Sequence, residues 1–281
     1  MIPIVQLKND MGFYKSLGSL IEVLKLIAAA QYQALERKIK GYTTYLDSIG
    51  DIFAGLDLQN INHPFLKKNE KPKAIVAITT DAGLLGGLNS LVMNKALEQF
   101  RGEDSKLIIV GKRGRLYVEK NKMGYADFPG INNEQRLEQA LKLRDYIVSN
   151  VLKGNIGELV VVFPRALSFA VQRIEVLNLL PFIPEERQRT GPRMDISEVI
   201  LESSLGDISE YLVYLWLGQK LFEIFGLAQV AEQSARFMHL ENCTQRIQDE
   251  NKKLKFQYFR TRHEIIDQNM RELFSARLIN E

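Results

Sequence analysis

Apolar residues at heptad spacing occupy both ends of this 281-residue chain, and no other feature limits its fold so tightly. Toward the N-terminus Tyr32, Leu35, Ile39, Tyr42, Leu46, Ile49 and Phe53 follow one another in steps of three and four. Toward the C-terminus Leu217, Leu221, Ile224, Ala228, Ala231, Ala235 and Met238 do the same. A repeat of about 3.5 residues winds one apolar seam along a helix, and another helix has to cover that seam. With one seam at each end, the economical arrangement is an antiparallel coiled coil of the terminal helices, with a compact domain hung from it.

The spacing predicts an N-terminal helix from about Asn9 to about Leu56 and a C-terminal helix from about Asp207 to Leu278. Upstream of Tyr32 the first seam continues through Tyr14, Leu17, Ile21, Leu24 and Ala28. Two successive steps of four, Leu24 to Ala28 to Tyr32, form a stutter that unwinds the supercoil locally. Gly12, Gly18, Gly41 and Gly50 lower the helix's own stability by up to about 1 kcal/mol each, so its partner must hold it.

Between the helices the periodicity changes. Residues 60–73 are polar and broken by Pro64 and Pro72. Short apolar runs at 74–79, 106–111 and 158–163 read as buried strands, separated by helices at about 88–100 and 133–151. Such alternation argues for an open, parallel α/β sheet with helices on its faces. Residues 168–177 alternate like an edge strand, 185–193 are loop-like, and 197–204 are a candidate last strand. The division expected is a coiled-coil helix over 1–59, an α/β domain over 60–204 and a second coiled-coil helix over 205–281.

Composition excludes more than it assigns. A net charge of +3 gives no reason to expect nucleic acid. The basic group Lys252, Lys253, Lys255, Arg260 and Arg262 surrounds a polar stretch, Thr244 to Lys253, whose one apolar residue is Ile247. It lacks the strong basic excess and interleaved aromatics of a nucleic-acid surface. No apolar run reaches the roughly 18 residues of a membrane span. The single cysteine, Cys243, fits a reducing compartment, and the start of the chain does not read as a signal or transit peptide. His63, His239, His263 and Cys243 have no metal-ligand spacing, and no carboxylate pair is set apart for acid–base work. Neither a metal nor a cofactor is called for. Trp216, Phe222 and Phe225 read as packing residues at the root of the C-terminal helix.

One stretch looks like a phosphate loop: Ile78-Thr79-Thr80-Asp81-Ala82-Gly83-Leu84-Leu85-Gly86-Gly87-Leu88-Asn89. It has neither Gly-Lys-Ser/Thr nor Gly-x-Gly-x-x-Gly, so Asp81 reads as a turn or N-cap residue. Gly83, Gly86 and Gly87 read as aids to tight strand-to-helix packing. The stretch closely resembles the strand-turn-helix motif of F-type ATP synthase gamma subunits. Further likenesses follow in order: Leu24-Lys25-Leu26-Ile27-Ala28-Ala29-Ala30, Gly111-Lys112-Arg113-Gly114, Glu175 to Pro181, and Ala231-Glu232-Gln233-Ser234-Ala235-Arg236-Phe237-Met238. The match then runs through Asn242, Thr244, Tyr258, Arg262, Ile266 and Gln268 to Glu272. Departures include Ala82 for Arg, Leu85 for Cys, His263 for Gln, Asp267 for Thr, Asn269 for Glu and Ala276 for Gly.

The resemblance implies an antiparallel coiled coil with a Rossmann-like domain, acting as the central rotor stalk of an ATP synthase. The implied partners are the alpha and beta subunits of the catalytic hexamer, the epsilon subunit and the membrane c-ring. The implied place is the cytoplasmic face of the bacterial plasma membrane, with no span and no catalytic site of the chain's own. Leu24, Lys25, Arg236, Arg262, His263, Gln268 and Glu272 are the implied torque and stator contacts. Asp81, Gly83, Gly86, Gly87 and Asn89 form the structural turn. Rival readings are a paralogous rotary ATPase subunit, a free-standing coiled-coil adaptor, and a Rossmann-domain nucleotide-binding enzyme with helical dimerisation arms.

Overall fold

Strand β1 (Lys73–Ile78) sets the architecture, because its side chains are buried on both faces. The computed structural model describes residues 3–39, 63–67, 71–100, 102–183 and 203–279. The chain divides into two compact units, Ala30–Ala235 and a smaller one made of Met1–Ala29 with Arg236–Glu281.

In the larger unit β1 is the centre of a five-stranded sheet of order β3-β2-β1-β4-β5. Strand β2 (Ser105–Val110) and strand β4 (Glu158–Ala166) flank β1 in parallel, and β3 (Tyr125–Phe128) extends the sheet beyond β2, also in parallel. Strand β5 (Gln172–Leu180) runs antiparallel to β4 at the opposite edge. Two chemically alike faces follow from the period of two. Ala74, Val76 and Ile78 join Ile108, Val110, Val161 and Phe163 beneath α4 (Arg136–Leu152) and the first part of α5 (Leu205–Ile279). Ile75 and Ala77 join Leu107, Ile109, Val160 and Val162 beneath α2 (Leu88–Gln99) and α3 (Lys112–Lys120). The result is a mixed α/β fold with helices on both faces.

Several features differ from the sequence reading. Helix α3 and strand β3 were not expected: α3 is largely charged, and β3 is short, edge-placed and only partly buried. The edge strand spans Gln172–Leu180, a few residues later than its alternation suggested. Helix α1 starts earlier, at Ile4, where Pro3 supplies a carbonyl to the amides of Gln6 and Leu7. It is described to Ile39; residues 40–56, with Gly41, Tyr42, Leu46, Ile49, Gly50 and Phe53, lie outside the described residues, as do 185–193 and 197–202. Ser203 and Ser204 are not strand: the Ser204 hydroxyl accepts the amide of Asp207 (3.2 Å) and donates to its carboxylate (2.7 Å), capping α5.

The C-terminal seam is buried, but part of it is covered by something other than the N-terminal helix. Leu217, Leu221, Ile224 and Ala228 belong to the core between sheet, α4 and α5. An α/β domain presents a broad apolar sheet face, and the heptad face of α5 lies on it. A different residue of α5, Val230, takes Tyr32 and Leu35 of α1, with Phe169 stacked edge-on against Tyr32 at 4.7 Å. Ala235 meets Leu85 and Leu88 at the start of α2.

The smaller unit pairs the first part of α1 with the second part of α5. Along α1 the least exposed positions recur at Tyr14, Leu17, Ile21, Leu24 and Ala28, the seam read from the spacing, and Leu7 extends it by two turns. Lys25 meets Glu241 while Gly18 faces Ile247, so residue numbers fall on one helix as they rise on the other. The two helices are antiparallel.

Candidate functional site

The glycine-rich turn sits at the carboxyl end of β1, beside the point between the parallel strands β1 and β4 where the strand order reverses. Ligands of open α/β sheets bind at that topological switch point. Here its polar groups are spent on the chain itself. The Thr79 hydroxyl donates to the Val110 carbonyl at 2.7 Å and accepts the Gly114 amide at 2.9 Å. Asn89 returns from the first turn of α2, its Oδ1 accepting the Thr80 amide and its Nδ2 donating to the Thr80 hydroxyl, both at 3.0 Å. Asp81 does not cap α2. Its Oδ1 accepts the amide of Lys112 at 2.8 Å, at the first residue of α3.

Glycine is required at this junction in a specific sense. Gly86 and Gly87 have φ of 59° and 96°, and Leu84 also lies in the left-handed region at 64°. A Cβ on Gly111, itself at φ 98°, would stand 2.5 Å from the Thr79 carbonyl oxygen. At Gly83 the limit is a side chain, since a Cβ there would be 2.9 Å from an Arg113 nitrogen.

Helix α5 covers the switch point. Ala228 and Glu232 line a cavity of about 180 Å³ together with Thr79, Asp81 and Pro164. Small-molecule sites usually need about 300–1,000 Å³. Leu85 and Leu88, at the start of α2, pack on Ala235 of the same helix, where a nucleotide-binding fold would seat a pyrophosphate.

The other candidate residues lie on the coil. Leu24 is half-buried in the α1 seam. Lys25 is only 14% exposed and is paired to Glu22 at 3.0 Å and Glu241 at 2.9 Å. Hydrogen bonds it donates to Glu241 and then Glu22 raise its pKa above the usual lysine value, against the smaller effect of desolvation. The structure makes this lysine a cross-helix tie. Glu241, which sequence reasoning passed over, is its partner.

Arg236 is half-buried, whereas Arg262, His263, Gln268 and Glu272 are exposed. Gln268 and Glu272 are brought together, Nε2 to Oε1 at 3.2 Å. Around them Phe256, Phe259, Ile266, Met270, Leu273 and Phe274 also face outward. In the polar run the Thr244 hydroxyl donates to the Leu240 carbonyl at 3.0 Å, and Asn251 Oδ1 is buried with no partner among the described residues. Cys243 lies 3.8 Å from His239 Nε2. Among the described residues no group of three or more His, Cys, Asp or Glu could hold a metal, and no helix is long and apolar enough to cross a membrane.

Comparison with known proteins gives one consistent result. A family model described as ATP synthase matches residues 4–277. The ATP synthase gamma chain of Clostridium acetobutylicum is 29% identical over 245 residues, 86% of this chain and 84% of that protein. That of Clostridium perfringens is 26% identical over 276 residues, covering 96% and 95%. Among solved structures, a chain of the Euglena gracilis mitochondrial ATP synthase OSCP/F1/c-ring assembly aligns with a TM-score of 0.70 at 15% identity, covering 97% of this chain and 93% of that one. A chain of the rotor of the same enzyme aligns with a TM-score of 0.66 at 17% identity, covering 94% and 98%.

Proposed function

This chain belongs to the ATP synthase family as a gamma, central-stalk subunit, and from that we propose that it is the shaft that carries torque between an ion-driven membrane ring and three catalytic beta subunits. The observation that carries this reading is the antiparallel pairing of α1 with α5, whose far part, beyond Leu240, leaves aromatic and aliphatic residues uncovered. Large uncovered apolar surface on a folded chain belongs under a partner. The alpha and beta subunits of a catalytic hexamer would enclose it, with the epsilon subunit and c-ring engaging the α/β domain. The place of action is then the cytoplasmic face of a bacterial plasma membrane, with the chain attached through the complex.

As the shaft turns, each beta subunit meets a different face of it. Unequal contacts bias open and closed states differently, and that differential binding energy is what rotation delivers. Arg262 can offer a directional pair to a carboxylate of the enclosing ring. His263 beside it can donate or accept a hydrogen bond. Leu24, Arg236, Gln268 and Glu272 complete the contact set, and Lys25 acts there through its tie to Glu241.

The chain performs no chemistry in this reading and binds no nucleotide. Support comes from the switch point, where α5 and the turn's own hydrogen bonds occupy the position a dinucleotide would take. Two measurements test the whole. Co-expression with alpha and beta subunits should yield a complex in a 3:3:1 ratio; a chain that never joins them refutes the shaft. Calorimetry on the isolated chain should show no micromolar ATP or dinucleotide binding, and such binding would favour the enzyme instead.

A further inference from the structure

Helices α4 and α5 meet through an arrangement that occurs twice. On α4, Arg136 and Arg144 are eight residues apart; on α5, Gly226 and Gly218 have the same separation in the opposite chain direction. Both arginines are almost fully buried, at 4% and 8% exposure. The guanidinium of Arg136 lies 4.2 Å from the ring centre of Phe222, and that of Arg144 lies 3.7 Å from that of Tyr214. In each case the ring stands one turn before the glycine, so every arginine covers an aromatic face and a notch beside it.

The notches are real. A Cβ on Gly226 would stand 2.9 Å from Nη1 of Arg136. One on Gly218 would stand 3.0 Å from Nη1 of Arg144 and 3.2 Å from its Cδ. Further bonds hold the second site: Arg144 Nη2 donates to the Tyr214 hydroxyl at 2.6 Å, and that hydroxyl donates to Asp145 at 3.0 Å. At the first, Arg136 Nη1 reaches Gln229 Oε1 at 3.4 Å.

Apolar contact between these helices is non-directional and resists separation better than sliding. A planar cation on a ring is directional, and a buried charge cannot leave its partners without a large desolvation cost. Two such sites, two turns apart, oppose both rotation of α5 about its axis and movement along it. We propose that Arg136 and Arg144 are positioning residues that lock the rotational register of α5 on the α/β sheet, so that torque passes between them without slip. The proposal rests on the shaft reading above.

The test uses the whole complex reconstituted in lipid vesicles, with ATP-driven ion pumping and ATP hydrolysis measured together against a rising opposing ion gradient. Two double variants are compared with the unmodified chain. Arg136→Lys/Arg144→Lys keeps the charge and loses the planar stack, and Gly218→Ala/Gly226→Ala fills the notches. Both should assemble and hydrolyse ATP, while ions moved per ATP fall by about threefold or more, most steeply at high gradient. A coupling ratio equal to the unmodified complex at every gradient overturns the proposal. So does a loss of pumping that only parallels loss of assembled chain, which is what a purely structural role gives. If the alanine pair does not assemble, the lysine pair decides alone. Failure of the unmodified complex to pump would strike the shaft reading instead.

Discussion

Helix α5 meets two different fates along its length. Between Leu212 and Ala235 its apolar residues are buried or partly buried, with Val213, Leu217, Leu221 and Ile224 closed off completely by sheet and α4. Past Leu240 no described residue of the helix is buried, and Phe256 is 72% exposed. Both stretches obey helical apolar spacing. The spacing reports that a face is apolar; it does not say what covers it, nor whether the cover comes from the same chain. In the first stretch the chain supplies its own cover. In the second it supplies α1 on one side, and among the described residues nothing covers the rest.

The sharpest way to break the comparison is at its buried end. Phe225 is 1% exposed within the core of the larger unit. Phe225→Ala should destabilise the isolated chain by about 3–5 kcal/mol, read from the urea midpoint at constant slope. A loss below about 1 kcal/mol would mean that this stretch, like the far one, depends on an external cover.

A smaller effect of opposite sign is expected on the coil. Gly18 sits within α1, and a Cβ there would be 3.6 Å from Ile247, an ordinary contact. Gly18→Ala should stabilise the chain by up to about 1 kcal/mol, since alanine removes glycine's entropy penalty without a clash. Destabilisation in thermal melts would show that the helices approach more closely than this geometry.

How much of this was legible beforehand depends on the range of the interaction. Local periodicity exposed the α1 seam from Tyr14 to Ala28 and the strands β1, β2 and β4, because burial on a regular element repeats with that element's period. The glycine turn was legible as a turn, yet the action of Asp81 on α3 was not, since that helix carries almost no apolar signal. The cover on Leu217 to Ala228 was misread because two apolar faces competed for one seam, and spacing cannot rank them. Arg136 and Arg144 were invisible for a different reason. A charged residue on a helix reads as solvated, and only the matched eight-residue separations of the two arginines and of Gly218 and Gly226 hinted otherwise. The Lys25 tie joins residues too distant in sequence for any local pattern to pair.

That tie gives the next prediction. The pKa of Lys25 is raised above 10.5, chiefly by Glu241, so its charge is retained in the fold after an unfolded chain would begin to lose it. The contribution is fully present below about pH 10.5 and is lost as pH rises through the folded value. Glu241→Gln should therefore cost about 0.5–1 kcal/mol at neutral pH, the range for a partly exposed pair. The gap in urea midpoint between the two proteins should close only above about pH 10.5. A gap that closes already near pH 8 would assign it to something other than the lysine.

The smallest effect on the free chain bears most directly on the far stretch of α5. Phe256 projects from the coil with no cover among the described residues, so Phe256→Ser should change the isolated protein's stability by less than about 0.5 kcal/mol. The same change in a partner-bound state removes a buried aromatic, and should weaken assembly with alpha and beta subunits by about tenfold or more in a titration of labelled chain. The two numbers must diverge if the exposed face is an interface. A serine that leaves both unchanged would make Phe256 an ordinary solvated residue, whereas one that lowers both equally would place its cover within the chain and erase the contrast between the two halves of α5.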